Sequence, residues 1–121
     1  MLIAVSATGT TLEDHVDQRF GRCKYFIVVD SDTLTFEALS NQGIMASSGA
    51  GIKAGQTLAE KGVKAVISGN IGPNAFDTLS AANIDIYIGA SGKIEDILQK
   101  FNLGELKKTE SSNVKSHFGT Q

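Results

Sequence analysis

The chain has 121 residues and a net charge of −2, from 11 basic and 13 acidic side chains, with 41% hydrophobic and 20% charged residues. That length suits one soluble globular domain burying roughly two-thirds of its unfolded surface, and the charge excludes a general affinity for nucleic-acid backbone. The single cysteine excludes an internal disulfide framework and a zinc site of several thiolates, and a lone free thiol fits a reducing cytoplasm.

No apolar run approaches the ~20 residues of a membrane span. The N-terminal stretch Met1-Leu2-Ile3-Ala4-Val5-Ser6 lacks the basic segment of a secretion signal and reads as a strand over 2–6. Residues 24–30 form a β-branched and aromatic run, and Ser31-Asp32-Thr33 reads as a turn. Residues 34–40 alternate, with Leu34, Phe36 and Ala38 on one face, so the pair predicts an antiparallel hairpin.

The period then changes. Residues 48–61 read as a helix ended by Gly62. Gly51, Gly55 and Ala59 recur every four residues, a smooth stripe expected to approach the sheet closely. A fourth strand follows over 63–68. Pro73 opens a second helix, with Phe76 and Leu79 inward, and a fifth strand covers 84–88. Ser91 is expected to cap a third helix, whose Ile94, Ile97, Leu98 and Phe101 share one face. Strands alternating with helices imply right-handed crossovers and parallel neighbours. The sum is an α/β domain with a mixed five-stranded sheet flanked by helices. Its first strand is central, paired in parallel with 63–68. Residues 105–121 show no period and read as a mobile tail to a domain spanning 1–104.

Several familiar motifs fail on spacing. Gly89-Ala90-Ser91-Gly92-Lys93 ends like a P-loop, but Tyr87 stands at the first glycine and Ile94 at the magnesium-binding hydroxyl. Gly49-Ala50-Gly51 meets its next glycine, Gly55, one place too late for a dinucleotide fingerprint. His15 and His117 are the only histidines, and no nucleophile elbow is present. The first strand contributes no carboxylate to a two-metal centre. These failures weigh against a nucleotide-handling enzyme.

Two segments remain. Residues 14–23 gather His15, Arg19, Arg22 and Cys23. Cys23 suits iron or another soft metal as thiolate, with Arg19 and Arg22 depressing its pKa and balancing an anionic ligand. The same residues equally fit a structural role, with Cys23 a small core residue and Phe20 a core plug. The second segment, Ser68-Gly69-Asn70-Ile71-Gly72-Pro73-Asn74, feeds a helix start at the carboxyl end of a parallel strand, the edge where anions and ligands gather. Gly69, Gly72 and Gly92 are expected on one concave surface near Ser6, with Gly72 in a conformation closed to other residues. These glycines also suit plain tight turns.

Phe20-Gly21-Arg22-Cys23-Lys24-Tyr25-Phe26-Ile27-Val28-Val29-Asp30, then Gly49-Ala50-Gly51-Ile52, then Ile67-Ser68-Gly69-Asn70-Ile71-Gly72-Pro73-Asn74-Ala75 resemble the dinitrogenase iron–molybdenum cofactor biosynthesis family, in order and approximate spacing over about residues 1–104. That family includes NifX-like and NafY-like carriers and the C-terminal domain of NifB-type proteins. The resemblance implies a three-layer ribonuclease H-like fold and no enzymatic activity. It implies transient binding of an iron–sulfur or iron–molybdenum-type cluster, with delivery to cluster-assembly or acceptor proteins; one cysteine cannot hold a cluster in the usual four-cysteine manner, so the cluster is expected to be absent after purification. Many members carry histidine where this chain has Arg19, which leaves His15 as a substitute ligand beside Cys23; His117-Phe118-Gly119 in the tail lacks the strand context. The expected site is Cys23, His15, Arg19, Arg22, Gly69, Asn70, Gly72 and Gly92, in a cytoplasmic monomer that binds neither nucleic acid nor membrane. The competing reading is a metal-free interaction module that takes a protein or small anion at the glycine edge.

Overall fold

The computed structural model describes residues 1–44 and 49–112. Five strands form one sheet: β1 (Leu2–Ala7), β2 (Tyr25–Asp30), β3 (Phe36–Ser40), β4 (Ala65–Ile67) and β5 (Asp85–Tyr87). Three helices accompany them, α1 (Ala50–Glu60), α2 (Pro73–Ala81) and α3 (Ile94–Asn102). The strand order is β3-β2-β1-β4-β5, with β1 central. It pairs antiparallel with β2 and parallel with β4, Ala4 opposite Val28 on one side and Val66 on the other.

Strand period sorts the core into two layers. Ala4, Phe26, Val28, Val66 and Ile86 face Ala54 and Leu58 of α1 and Ala75 and Leu79 of α2. Ile3, Val5, Ile27, Val29, Ala65 and Ile67 face Ile94, Ile97 and Leu98 of α3. Each fully buried Ile, Leu or Val contributes about 1.5–3 kcal/mol of burial, so both helical layers are held mainly by this apolar area. The result is the expected three-layer α/β domain, with the first strand central and the 2–6 and 63–68 segments paired in parallel.

Local differences have physical causes. Leu34 does not begin β3. It sits at φ 62°, donating its N–H to Asp30 O at 2.8 Å, because the turn is held by Asp30 Oδ1 accepting the N–H groups of Asp32 and Thr33 at 2.8 and 3.1 Å. Those two hydrogen bonds hold the Asp30 carboxyl below its ordinary pKa. Gly62 ends α1 at φ 84°, as its position predicts. The Gly51 and Gly55 stripe meets α2, not the sheet: a Cβ on Gly51 would lie 2.8 Å from the Ala75 Cβ, and one on Gly55 would lie 3.0 Å from Thr78 Cγ2. Ser91 does not cap α3; its N-cap is Lys93, without a side-chain cap. Residues 106–109 run along the outer edge of β5, where the Thr109 N–H donates to Ile86 O at 2.8 Å and Leu106 packs on the α3-side core. His117 to Gly119 lie outside the described residues. No helix among the described residues is long and apolar enough to cross a membrane.

Replacing Gly51 with Ala is expected to destabilise the fold by about 1–3 kcal/mol through overpacking against α2. Helix propensity alone would favour Ala over Gly by up to about 1 kcal/mol. Urea denaturation reads the sign directly. Adding Ala75→Gly, which reopens the space, should recover part of the loss.

Candidate functional site

The chain direction gathers every candidate residue at one edge. Strands β1, β3, β4 and β5 all run the same way, because β2 is antiparallel to both β1 and β3. Their carboxyl ends therefore share an edge, and α1, α2 and α3 each start there. The connection from β1 to β2, residues 8–24, also lies across it.

That connection fills one half of the edge. Val16 N–H donates to Gly92 O at 2.9 Å and Asp17 N–H to Ser6 O at 2.8 Å. Ile94 and Glu95 at the start of α3 donate their N–H groups to Asp14 O and Leu12 O, both at 2.9 Å. The exposed N-terminal donors that a helix normally offers to an anion are thus consumed by loop carbonyls at α3. Gln18 then donates to Ala90 O at 2.9 Å, and the Asn70 carboxamide donates to Gln18 O at 3.0 Å. Gly69 lies directly beneath: a Cβ there would collide with the Gln18 side chain. Phe20 passes through to the other layer, 2% exposed and 5.2 Å from the Phe26 ring.

Among the described residues, the second half of the edge stays open. Gly21, Arg22, Gly49, Ala50, Gly51, Ile52, Gly72, Pro73, Asn74 and Ala75 line a groove of about 230 Å³ between the starts of α1 and α2. Among the described residues neither start carries a side-chain cap or an acidic residue in its first turn. At α3, by contrast, Glu95 and Asp96 occupy the first turn. Two helix starts therefore converge on a groove that Arg22 also lines and no described carboxylate does, which is an environment for an anion. Small residues make the convergence possible: a Cβ on Gly21 would stand 3.0 Å from the Gly51 backbone N, and one on Gly51 would stand 2.8 Å from the Ala75 Cβ.

The expected site residues divide accordingly. Arg22 and Gly72 line the groove. Gly72 is at φ −82°, ψ 170°, extended backbone open to any residue, and a Cβ there would meet nothing within 4 Å. Its expected special conformation is not needed. Gly92, at φ 91°, lines a depression beside α3 with Lys93 and Asp96, while Gly72 lines the groove between α1 and α2. Asn70 and Gly69 serve the loop contact. Arg19 is exposed and pairs with Asp17 at 3.6 Å.

Cys23 and His15 are in different surroundings, one sealed in the core and the other at the surface. Cys23 is in the α1–α2 core layer, fully buried, its thiol donating to Phe20 O at 3.3 Å. His15 is exposed on the backbone beside Lys93, at the α3 start. No three His, Cys, Asp or Glu side chains among the described residues are grouped to hold a metal ion. The expected depression of the thiol pKa is reversed. Burial, reinforced by the nearby Asp17 carboxylate, pushes it up to about 12, and the Arg19 charge opposes this only weakly.

The groove also includes Gly49, Gly51 and Ala75, which the sequence does not single out as site residues. The usable signal was the pairing of small residues on two helices, Gly51 and Gly55 with Ala75 and Thr78, which brings two helix starts together.

Comparison with known proteins gives a consistent frame. The model of the family described as dinitrogenase iron–molybdenum cofactor matches residues 1–104. The apo form of the orange protein from Desulfovibrio gigas is similar at TM-score 0.91 and 37% identity, covering 93% of this chain and 96% of that one. The NMR structure of a Thermotoga protein provisionally assigned as NifB gives TM-score 0.79 and 33% identity, covering 93% and 98%. An uncharacterized protein of Methanocaldococcus jannaschii is 30% identical over 113 residues, 91% of this chain and 92% of its own length.

The Cys23 environment has a measurable consequence. Folding raises the thiol pKa from 9.0 to about 12, so above pH 9 the unfolded chain releases this proton while the folded chain keeps it. The stability from this group is full below pH 9 and declines as pH rises from 9 towards 12. Urea midpoints measured across that window should fall less steeply for Cys23→Ala than for the wild type. At neutral pH, the native thiol should resist alkylation that modifies the unfolded chain readily.

Proposed function

The chain belongs to the dinitrogenase iron–molybdenum cofactor family, and we propose that it is a non-enzymatic carrier. In this reading it holds an anionic iron–sulfur or iron–molybdenum-type cluster precursor in the groove between α1 and α2 and passes it to an assembly or acceptor protein. The observation that carries the proposal is the convergence of two helix starts and Arg22 on a groove lined by no described carboxylate. Sulfide- and thiolate-bearing clusters are anions with many acceptor atoms, so backbone N–H groups and a guanidinium suit them without a direct protein–metal bond. The neutral, buried Cys23 thiol favours this outer-sphere mode over thiolate ligation. A 37%-identical relative solved in a form called apo also fits a ligand that leaves.

Energetics favour exchange. Each charged hydrogen bond contributes about 1.5–3 kcal/mol, while association costs roughly 4–15 kcal/mol before any gain is seen. A few such contacts give binding that is specific yet reversible, as delivery requires. The groove is shallow and polar at the backbone level, and it has no nucleophile beside a base among its lining residues. The work is assigned to the cytoplasm, where a lone thiol stays reduced.

Anaerobic reconstitution with ferrous iron, sulfide and molybdate, followed by metal and sulfide analysis, tests the reading. The wild type should take up cluster components reversibly. Arg22→Gln should weaken uptake roughly tenfold, the loss of one charged contact. Gly72→Val should leave the melting temperature near wild type while obstructing the groove. Cys23→Ala should retain uptake, and its abolition in a folded Cys23→Ala protein would return the site to the thiol. Binding of molybdate or phosphate without any iron and sulfide uptake would favour the metal-free anion-binding module.

A further inference from the structure

We propose that Asn41 is the positioning residue of this groove: its carboxamide locks the Gly21–Cys23 loop to the turn ahead of α1 and thereby fixes Arg22 on the groove wall. The inference deepens the groove reading and rests on it for the identity of the ligand. Asn41 is 5% exposed, one of few buried polar residues in the structure. Its Nδ2 donates to Gly21 O at 3.1 Å and to Cys23 O at 2.9 Å, the two carbonyls on either side of Arg22. Its Oδ1 accepts the Gly43 N–H at 3.1 Å. Its backbone N–H donates to Lys24 O at 2.9 Å, and its carbonyl accepts the Ile44 N–H at 3.2 Å.

Both carboxamide donors and the carboxamide oxygen are engaged, so Asn41 acts through its neighbours and not on a ligand. The turn it organises touches both walls. Arg22 Nη1 donates to Ile44 O at 3.0 Å. Gly43 lies against the first turn of α1, where an added Cβ would stand 3.1 Å from Ala50 O and 3.0 Å from Lys53 Cβ. Gly21 lies beside the α1 start, where an added Cβ would stand 3.0 Å from the Gly51 backbone N. One buried side chain therefore sets the distance between the arginine-bearing loop and the α1 start. Only a carboxamide of this length serves. Aspartate would place a carboxylate against two carbonyls, and alanine would take the Nδ2 donor from both, the buried Cys23 carbonyl included. Holding a cationic side chain in place before the ligand arrives removes an ordering cost from binding.

The test combines a binding readout with one that needs no ligand. Asn41→Ala and Arg22→Gln are made singly and together, with Ile97→Ala on the α3 layer as a destabilised control. Molybdate affinity is measured by equilibrium dialysis, and Cys23, the chain's single thiol, is labelled under native conditions. Asn41→Ala should weaken molybdate binding about tenfold, and should weaken it no further in the Arg22→Gln background. It should also speed Cys23 labelling at least about tenfold, because its loss frees the loop that covers the thiol. Ile97→Ala should change molybdate affinity little. Wild-type affinity in Asn41→Ala, or losses that add to those of Arg22→Gln, would overturn the positioning role. If the wild type binds no molybdate, the groove reading falls; labelling then decides the lock alone, and an unchanged rate would overturn it. Should Asn41→Ala not fold, Asn41→Ser, which keeps one donor, carries the same comparison.

Discussion

The parallel pairing of β1 with β4 is the constraint on which the rest depends. Ile3, Ala4 and Val5 sit opposite Ala65, Val66 and Ile67, and β5 continues in the same direction. With β2 as the single reversed strand, every helix must start at the same edge of the sheet. Partial positive charge from three helix starts is thereby concentrated on one rim of a protein whose net charge is −2. An anion site at this rim is a consequence of topology before any particular side chain is considered.

The long connection after β1 decides which part of that rim stays available. It satisfies the α3 start with carbonyls from Leu12 and Asp14, and its Ser6 end is tied down by buried hydroxyls. Ser6 Oγ donates to Asp17 O at 2.7 Å and stands 2.8 Å from Ser68 Oγ. Val16 is anchored in one core layer and Phe20 in the other, so the loop is pinned on both faces of the sheet. At the α1 start it contributes Gly21, packed beside the Gly51 backbone. One loop thus closes one potential anion site and forms, through Gly21 and Arg22, a wall of the other.

The same packing settles the chemistry of Cys23. A thiol beside two arginines in the sequence would be acidified if all three shared solvent. Here Phe20 and Asn41 close over the sulfur, and desolvation outweighs the weak Arg19 contribution. The neutral thiol becomes core filling, while the charge needed at the rim comes from backbone dipoles and Arg22. Separating the buried sulfur from the anion groove is compatible with cargo that must leave, since no metal–thiolate bond has to break.

The sequence by itself determined the strands, the central place of 2–6, the Pro73 and Gly62 helix boundaries, the apolar face of α3 and, through the Phe20 to Asp30 and Ile67 to Ala75 segments, the family. These are local or periodic properties: β-branched runs, a fixed φ at proline, a left-handed glycine, a repeat of 3.6. Tertiary structure alone decided that Gly51 and Gly55 face α2, that α3 is capped by loop carbonyls about eighty residues earlier in the chain, and that Cys23 is sealed from solvent. Periodicity reports that one side of an element is small or apolar, not which neighbour it meets. A carbonyl has no side-chain signature, so a cap supplied from a distant loop leaves no trace in the residues it satisfies. Proximity in sequence likewise placed His15, Arg19 and Cys23 together, whereas the loop that carries them buries Cys23 in the α1–α2 core layer and leaves His15 and Arg19 exposed.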